Sequence, residues 1–160
     1  MATRSTIALE FADGTVQQVY CHWDGYIDHN GKILFEHYAD PFKLRDLIDQ
    51  GDLSSLGPNI GEAHPFSPHG SKEDEAAYEA AREAGYCTFY ARDRGEEGTK
   101  AKSFKDFEDY DANHSYEEYE YILRRDGVWY VSHNLPLVNQ QSPYYSLELA
   151  LAAQDMALCN

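Results

Sequence analysis

Apolar and polar positions alternate almost from the first residue. Ile7, Leu9 and Phe11 share one face of residues 5–11, the period of two expected of a strand with one buried face. Asp13-Gly14 follows, a strong hairpin-turn pair. Residues 15–23 read as the return strand, with Val19, Cys21 and Trp23 on one face and Tyr20 and His22 on the other. Val16 is out of phase with that alternation, which predicts a bulge there. Asn30 is expected to cap a short helix running to about Tyr38, with Ile33, Leu34, His37 and Tyr38 on one side. Asp40-Pro41 combines an N-cap with a first-turn proline. It opens a helix whose buried stripe is Leu44, Leu47 and Ile48 and which Gly51 stops.

Residues 57–70 contain three of the six prolines and three glycines, which marks a loop. Ser71 is placed to cap a helix over 72–84, residues 86–92 read as a strand, and 93–101 form a charged loop. Ser103 opens a short acidic helix to about Tyr110. Residues 115–125 and 128–132 make a second hairpin around Asp126-Gly127, and a last helix covers 146–158 with Leu147, Ala150 and Leu151 inward. Five strands, in two hairpins and one single strand, with three to five helices predict an α+β fold: a mainly antiparallel sheet of about five strands with helices packed on one face. No internal repeat and no long linker interrupt the chain, so residues 1–160 read as a single domain.

A domain of 160 residues buries roughly 70% of its unfolded surface, and the 42% apolar share, with seven Phe, two Trp and thirteen Tyr, supplies a core without metals or disulfides. Many of the tyrosines are expected half-exposed, since each hydroxyl needs a partner or water. Cys21, Cys87 and Cys159 are odd in number and match no zinc or redox spacing. The N-terminus carries no signal-peptide pattern and no apolar run approaches a membrane span, which together predict a reduced, cytoplasmic protein.

Charge changes the picture most. With 28 acidic against 13 basic residues the net charge is −15. That disfavours direct contact with nucleic acid or anionic lipid and favours steering toward basic partners. The acid is densest over 106–120, where Asp106, Glu108, Asp109, Asp111, Glu117, Glu118 and Glu120 interleave with Phe107, Tyr110, Tyr116, Tyr119 and Tyr121. Alternate strand residues lie about 6.8 Å apart on one face. Glu118 and Glu120 are therefore spaced like phosphates two steps apart on a DNA strand, at about 3.4 Å per step. A row of that kind fits a basic nucleic-acid channel; the alternative is a solvated, charge-protected edge.

A second constellation lies at residues 20–38, with His22, Asp24, Asp28, His29 and His37. Three readings fit it. It is a strand-to-helix corner in which Gly25 and Gly31 turn the chain, Asp24 and Asn30 bond the backbone and His22 and His37 are satisfied core groups. Or it is a ligand pocket, with Trp23 and Tyr26 stacking a base, His22 or His29 on phosphate, and Arg92 and Arg94 adding guanidiniums. Or it is a metal site of His22, Asp24, His29 and His37, although the spacing matches no established metal motif. Neither a cofactor nor a metal set is assigned. Catalysis by Ser54, Ser55 or Cys21 lacks an elbow or triad context, and Cys21 and His22 point to opposite faces of a strand.

The opening strand, Tyr20-Cys21-His22-Trp23-Asp24-Gly25-Tyr26, His29-Asn30-Gly31, Glu36-His37-Tyr38, Gly51-Asp52-Leu53-Ser54-Ser55-Leu56, Tyr90-Ala91-Arg92-Asp93-Arg94-Gly95-Glu96 and the hairpin near Tyr121–Tyr130 together resemble a family of small acidic accessory proteins of tailed phages and prophages. The resemblance covers most of the first 130 residues and carries over no catalytic residue. It implies a phage accessory protein acting in a bacterial cytoplasm, and by analogy small acidic phage proteins often counter host defence. The first expectation is an anti-CRISPR or related inhibitor that occupies a basic nucleic-acid-binding surface of a host complex by mimicking DNA. The alternatives are a sponge that sequesters a signalling nucleotide and a metal-dependent enzyme. Oligomeric state stays open.

Overall fold

The computed structural model describes residues 2–134 and 143–159, without the side chains of 157–159. The chain runs β1 (Ser5–Glu10), β2 (Val16–Cys21), a single π-helical turn (Ile27–Gly31), α1 (Lys32–His37), α2 (Pro41–Asp49), β3 (Leu53–Ser55), α3 (Lys72–Glu83) and β4 (Thr88–Phe89). It continues through α4 (Tyr90–Arg94), β5 (Lys102–Phe104), α5 (Phe107–Asn113), β6 (Tyr119–Leu123), β7 (Trp129–His133), β8 (Tyr145–Ser146) and α6 (Leu147–Cys159). The expected α+β class holds. Among the described residues, however, the sheet has eight strands rather than five, in the order β4-β3-β2-β1-β6-β7-β8 with β5 also paired to β2. Most pairs are antiparallel, but β1 runs parallel to β6 and β2 parallel to β3.

Local chemistry fixes the hairpins and helix starts. Asp13 Oδ1 accepts from the Thr15 amide (3.0 Å) and hydroxyl (2.7 Å), closing the turn that joins β1 to β2. Asp40 caps α2 through the Phe42 amide at 2.9 Å. Ser71 and Asp74 form a reciprocal capping box at the start of α3.

The helices do not all lie on one face. Ile7, Leu9, Val19, Cys21, Tyr121, Leu123 and Val131 pack against Leu34 of α1, Leu44, Leu47 and Ile48 of α2, and Leu147 of α6. On the opposite face Ala8, Val16, Phe104 and Ile122 pack beneath Tyr110 of α5. Every residue of β1 is buried. This two-sided burial also removes the expected bulge at Val16. Its pairing with Glu10 is in register with the rest of the hairpin, and its side chain simply belongs to the second core. The expected strand over 86–92 is only two residues long before α4 begins. Asn30 does not cap α1. Its amide is buried, donating to the Trp23 carbonyl (3.1 Å) and lying against Ser5 and Cys21.

Candidate functional site

The parallel alignment of β2 and β3 extends beyond β2. The amides of His22 and Trp23 donate to the carbonyls of Leu53 (3.1 Å) and Ser54 (3.0 Å). The chain then reverses at Asp24, the one non-glycine among the described residues with a positive φ, +58°. This left-handed conformation is uncommon for a residue with a Cβ, though Asp tolerates it better than most. It is held from all sides. The Gly25 amide donates to Thr3 O (2.8 Å), the Asn30 amide to Asp24 O (3.2 Å), and the buried Tyr121 hydroxyl to Gly25 O (2.6 Å). A Cβ on Gly25 would lie 2.7 Å from that of Ser5 and 2.9 Å from Thr3 O, so only glycine fits after Asp24.

This corner presents Trp23, 44% exposed, at the mouth of a cleft of about 590 Å³. The size suits a small-molecule ligand, for which pockets run from about 300 to 1,000 Å³. Ser54, Ser55, Leu56 and Gly57 line it from the strand side, His64 and Phe66 from the long loop, and Tyr78 and Arg82 from α3. Tyr86 and Thr88 lie beyond, and Asp24 and His29 line it beside Trp23. Among these lining residues Arg82 is the single arginine. It donates to the Tyr78 hydroxyl at 3.3 Å, so it is held beside that ring.

The sequence candidates divide. Trp23, Asp24 and His29 come together in the cleft. His22 stands behind it: its Nδ1 meets the Tyr20 hydroxyl at 2.7 Å, and its ring meets Trp23 edge-on at 4.7 Å. Burial, and then Arg4, hold the His22 imidazole below its ordinary pKa. Tyr26 is exposed and lies against His29 rather than lining the cleft. His37 is no core group; it is exposed at the end of α1 beside Glu36.

Arg92 and Arg94 are not ligand groups waiting for a phosphate. Arg92 donates to the carbonyls of Ile60 (3.0 Å), Gly61 (3.1 Å) and Cys87 (3.0 Å) and pairs with Asp93, whose carboxylate also accepts from the His64 amide. The two residues clip the 57–70 loop to the sheet, which is what builds the far wall. Arg94 lies over Phe66 and Tyr90 and pairs with Glu96.

The metal reading loses its ligand set. Among the described residues no three His, Cys, Asp or Glu side chains converge as a metal site. Cys21 and Cys87 are free and buried, and burial pushes the Cys21 thiol up to about 12, so it is no ready nucleophile.

The 106–120 stripe is not a row of surface carboxylates. Glu120 is completely buried; one oxygen faces His114 Nε2 and the other accepts from Asn134 Nδ2 at 2.6 Å. Its side chain lies on the face of β6 that carries Ile122, beneath α5, so the phosphate-like spacing from Glu118 leads inward. Asp106 caps α5 through the Asp109 amide (2.8 Å), and Asp109 accepts from Lys105 N and Asn113 Nδ2. Glu117 and Glu118 are half-buried. Only Glu108 and Asp111 stand fully out. The most exposed acid lies elsewhere, on α3, where Glu73, Asp74, Glu75, Glu79 and Glu83 are all exposed and Ala81 is the one buried residue.

The cleft's lining residues that were not singled out from sequence include His64, Phe66, Tyr78, Arg82 and Tyr86. Tyr78 and Arg82 are four apart on a predicted helix, a spacing that puts them on one face. The other three depend on how the proline-rich loop folds back.

Compared with known proteins, the chain matches no family model, no curated protein and no solved structure. No helix among the described residues is long and apolar enough to cross a membrane.

Proposed function

We propose that this chain is a binding protein rather than an enzyme, and that the cleft beside Trp23 takes a nucleotide-class ligand: a planar ring with a single anionic group. In the phage setting that the sequence resemblance implies, it acts in a bacterial cytoplasm as an anti-defence sponge for a signalling nucleotide. The observation that carries this reading is the overdetermined Asp24 corner, which holds Trp23 half-exposed over a cleft of about 590 Å³. Backbone strain of this kind concentrates at ligand clamps. Trp23, Phe66 and Tyr86 supply faces for stacking, Ser54, Ser55 and Thr88 supply hydroxyls for a sugar, and Arg82 supplies one charge-assisted donor. A net charge of −15 and a single lining guanidinium argue against polyphosphates.

Trp129 is buried, with its indole donating to Tyr38 O, so quenching of tryptophan emission reports mainly on Trp23. Titration with AMP and with cyclic mononucleotides is expected to give saturable quenching. Trp23→Ala should weaken binding by about 5- to 150-fold, the ~1–3 kcal/mol of a stacked base, and Arg82→Ala by at least about tenfold. A nucleotide panel that changes neither emission nor melting temperature would sink this reading.

The DNA-mimic inhibitor is the second reading, and α3 is what favours it. Five exposed carboxylates on a helix with one buried residue make a solvated acidic face, able to meet a basic channel in a host defence complex such as a CRISPR effector. It predicts capture of a nucleic-acid-binding protein from host lysate at low salt, lost at high salt. Glu79→Lys with Glu83→Lys should abolish the capture; capture unaffected by both reversals would rule that face out.

A further inference from the structure

A second pocket lies at the far end of the sheet, where the two hairpins meet α2. Its volume is about 270 Å³, and Leu9, Phe11, Phe42 and Leu123 line it together with Glu10, Arg45, Arg124 and Arg125. Leu9 and Leu123 are buried, whereas Phe42 is 69% exposed, the most exposed aromatic among the described residues. Three of the chain's seven arginines gather here, in a protein with only 13 basic residues.

Their engagements differ. Arg124 is matched by Glu10: Nε lies 3.1 Å from Oε1 and Nη2 3.4 Å from Oε2. The Arg125 amide also donates to Glu10 Oε1. Burial works against the Glu10 carboxylate, yet Arg124 and Arg125 outweigh it and hold its pKa below the ordinary value. Glu10 is thus saturated by Arg124 and a backbone amide. Among the described residues no hydrogen bond or ion pair engages the guanidiniums of Arg45 and Arg125, although the charge of Arg125 acts on Glu10. Arg45 lies over the Phe42 ring at 5.6 Å, and Arg125 Nη1 lies beside Gly14.

We infer that this pocket binds a small apolar carboxylate, a single aromatic ring or short alkyl chain ending in one carboxyl group. The apolar part would cover Phe42 against Leu9 and Leu123, and the carboxylate would sit between Arg45 and Arg125. A volume just under the ~300 Å³ at which pockets begin to hold drug-sized ligands limits the occupant to that size. Guanidinium geometry favours a carboxylate, which takes two parallel N–H donors. The charge of the occupant is set by complementarity: two arginines without a hydrogen-bonded partner among the described residues favour an anion over a neutral ligand. The site is independent of the Trp23 cleft, sharing no lining residue with it.

Calorimetry and amide chemical shifts with 3-phenylpropionate and octanoate test the inference, with 3-phenylpropanol and 1-octanol as matched neutral probes. Saturable binding of the acids, shifts confined to β1, α2 and the hairpin turns, and at least tenfold weaker binding of the alcohols are expected. Arg45→Ala with Arg125→Ala should lower acid affinity at least tenfold at an unchanged melting temperature, since both are exposed. Binding that ignores the difference between acid and alcohol, or that survives the double substitution, overturns the proposal. So does tighter binding of a peptide ending in a free Phe carboxylate, which would make the pocket a reader of a partner's chain terminus. Absence of binding by both acids overturns it outright.

Discussion

Glu120→Ala is expected to lower the thermal midpoint by roughly 10–15 °C at pH 5, from a loss of ~3–5 kcal/mol when one member of a buried ion pair is removed. Glu120 and His114 are both fully enclosed. His114 Nδ1 donates to Tyr110 O, and Nε2 faces Glu120, so both ring nitrogens meet acceptors, the arrangement that suits the imidazolium. Tyr110 stacks on the ring at 4.5 Å. Burial disfavours the charge, but the hydrogen bond and attraction of Glu120, with the Tyr110 carbonyl, outweigh it and raise the His114 pKa above 6.5. His114 therefore binds its proton more tightly in the folded chain than in the unfolded one. Its stabilising contribution is complete below the ordinary imidazole pKa and is lost as pH rises through the folded value. The cost of Glu120→Ala should accordingly shrink between pH 5 and pH 9. Melting curves of both proteins across that range check it. A penalty that grows with pH, or one under ~1 kcal/mol at pH 5, contradicts the assignment of a charged pair.

The second large effect is at Gly57. A Cβ there would stand 2.3 Å from Gly85 O and 2.9 Å from Gly85 C, a backbone-to-backbone clash with no flexible side chain to yield. Two other constraints pin the same peptide: the Tyr38 hydroxyl donates to Gly57 O at 2.7 Å, and the Gly57 amide lies 3.2 Å from Cys87 Sγ. Gly57→Ala is expected to cost at least ~2 kcal/mol, a midpoint drop of roughly 5–10 °C. It should also abolish ligand quenching of Trp23, because Leu56, Gly57, Gly85 and Tyr86 all line the cleft. A variant with wild-type melting and wild-type quenching would show that the two segments are not in contact.

Features set by local chemistry were readable along the chain. Asp13-Gly14, Asp40-Pro41, Ser71 and Asp126-Gly127 each act through bonds spanning a few residues, and the elements they start or join fall where expected. What was not readable depends on distant partners. β3, β5 and β8 have two or three residues each and exist because β2 and β7 offer them edges. Their sequences carry no period to detect. The reading of Val16 as a bulge, and of Glu120 as a surface acid, failed for one shared reason. Each assumed a sheet with a single buried face, whereas α5 covers the other side and supplies Tyr110 to Val16, and His114 just after it meets Glu120. The cleft was half readable. The Trp23-Asp24-Gly25 corner is local, but its opposite wall follows from Arg92 gripping the loop at Ile60 and Gly61, more than thirty residues away.

The parallel pairing of β1 with β6 has a consequence for how the molecule assembles. Ser5 lies beside Tyr119, so the strand at the middle of the sheet has one neighbour within reach as soon as its hairpin forms and must wait for the other until about a hundred further residues have been made. Closing that distance is entropically slow. Until it happens, β1, whose every residue is buried in the folded chain, presents an open hydrogen-bonding edge to any other chain nearby. The interval between the making of β1 and of β6, rather than the folded state, is then the stage at which this chain is most exposed to misassembly.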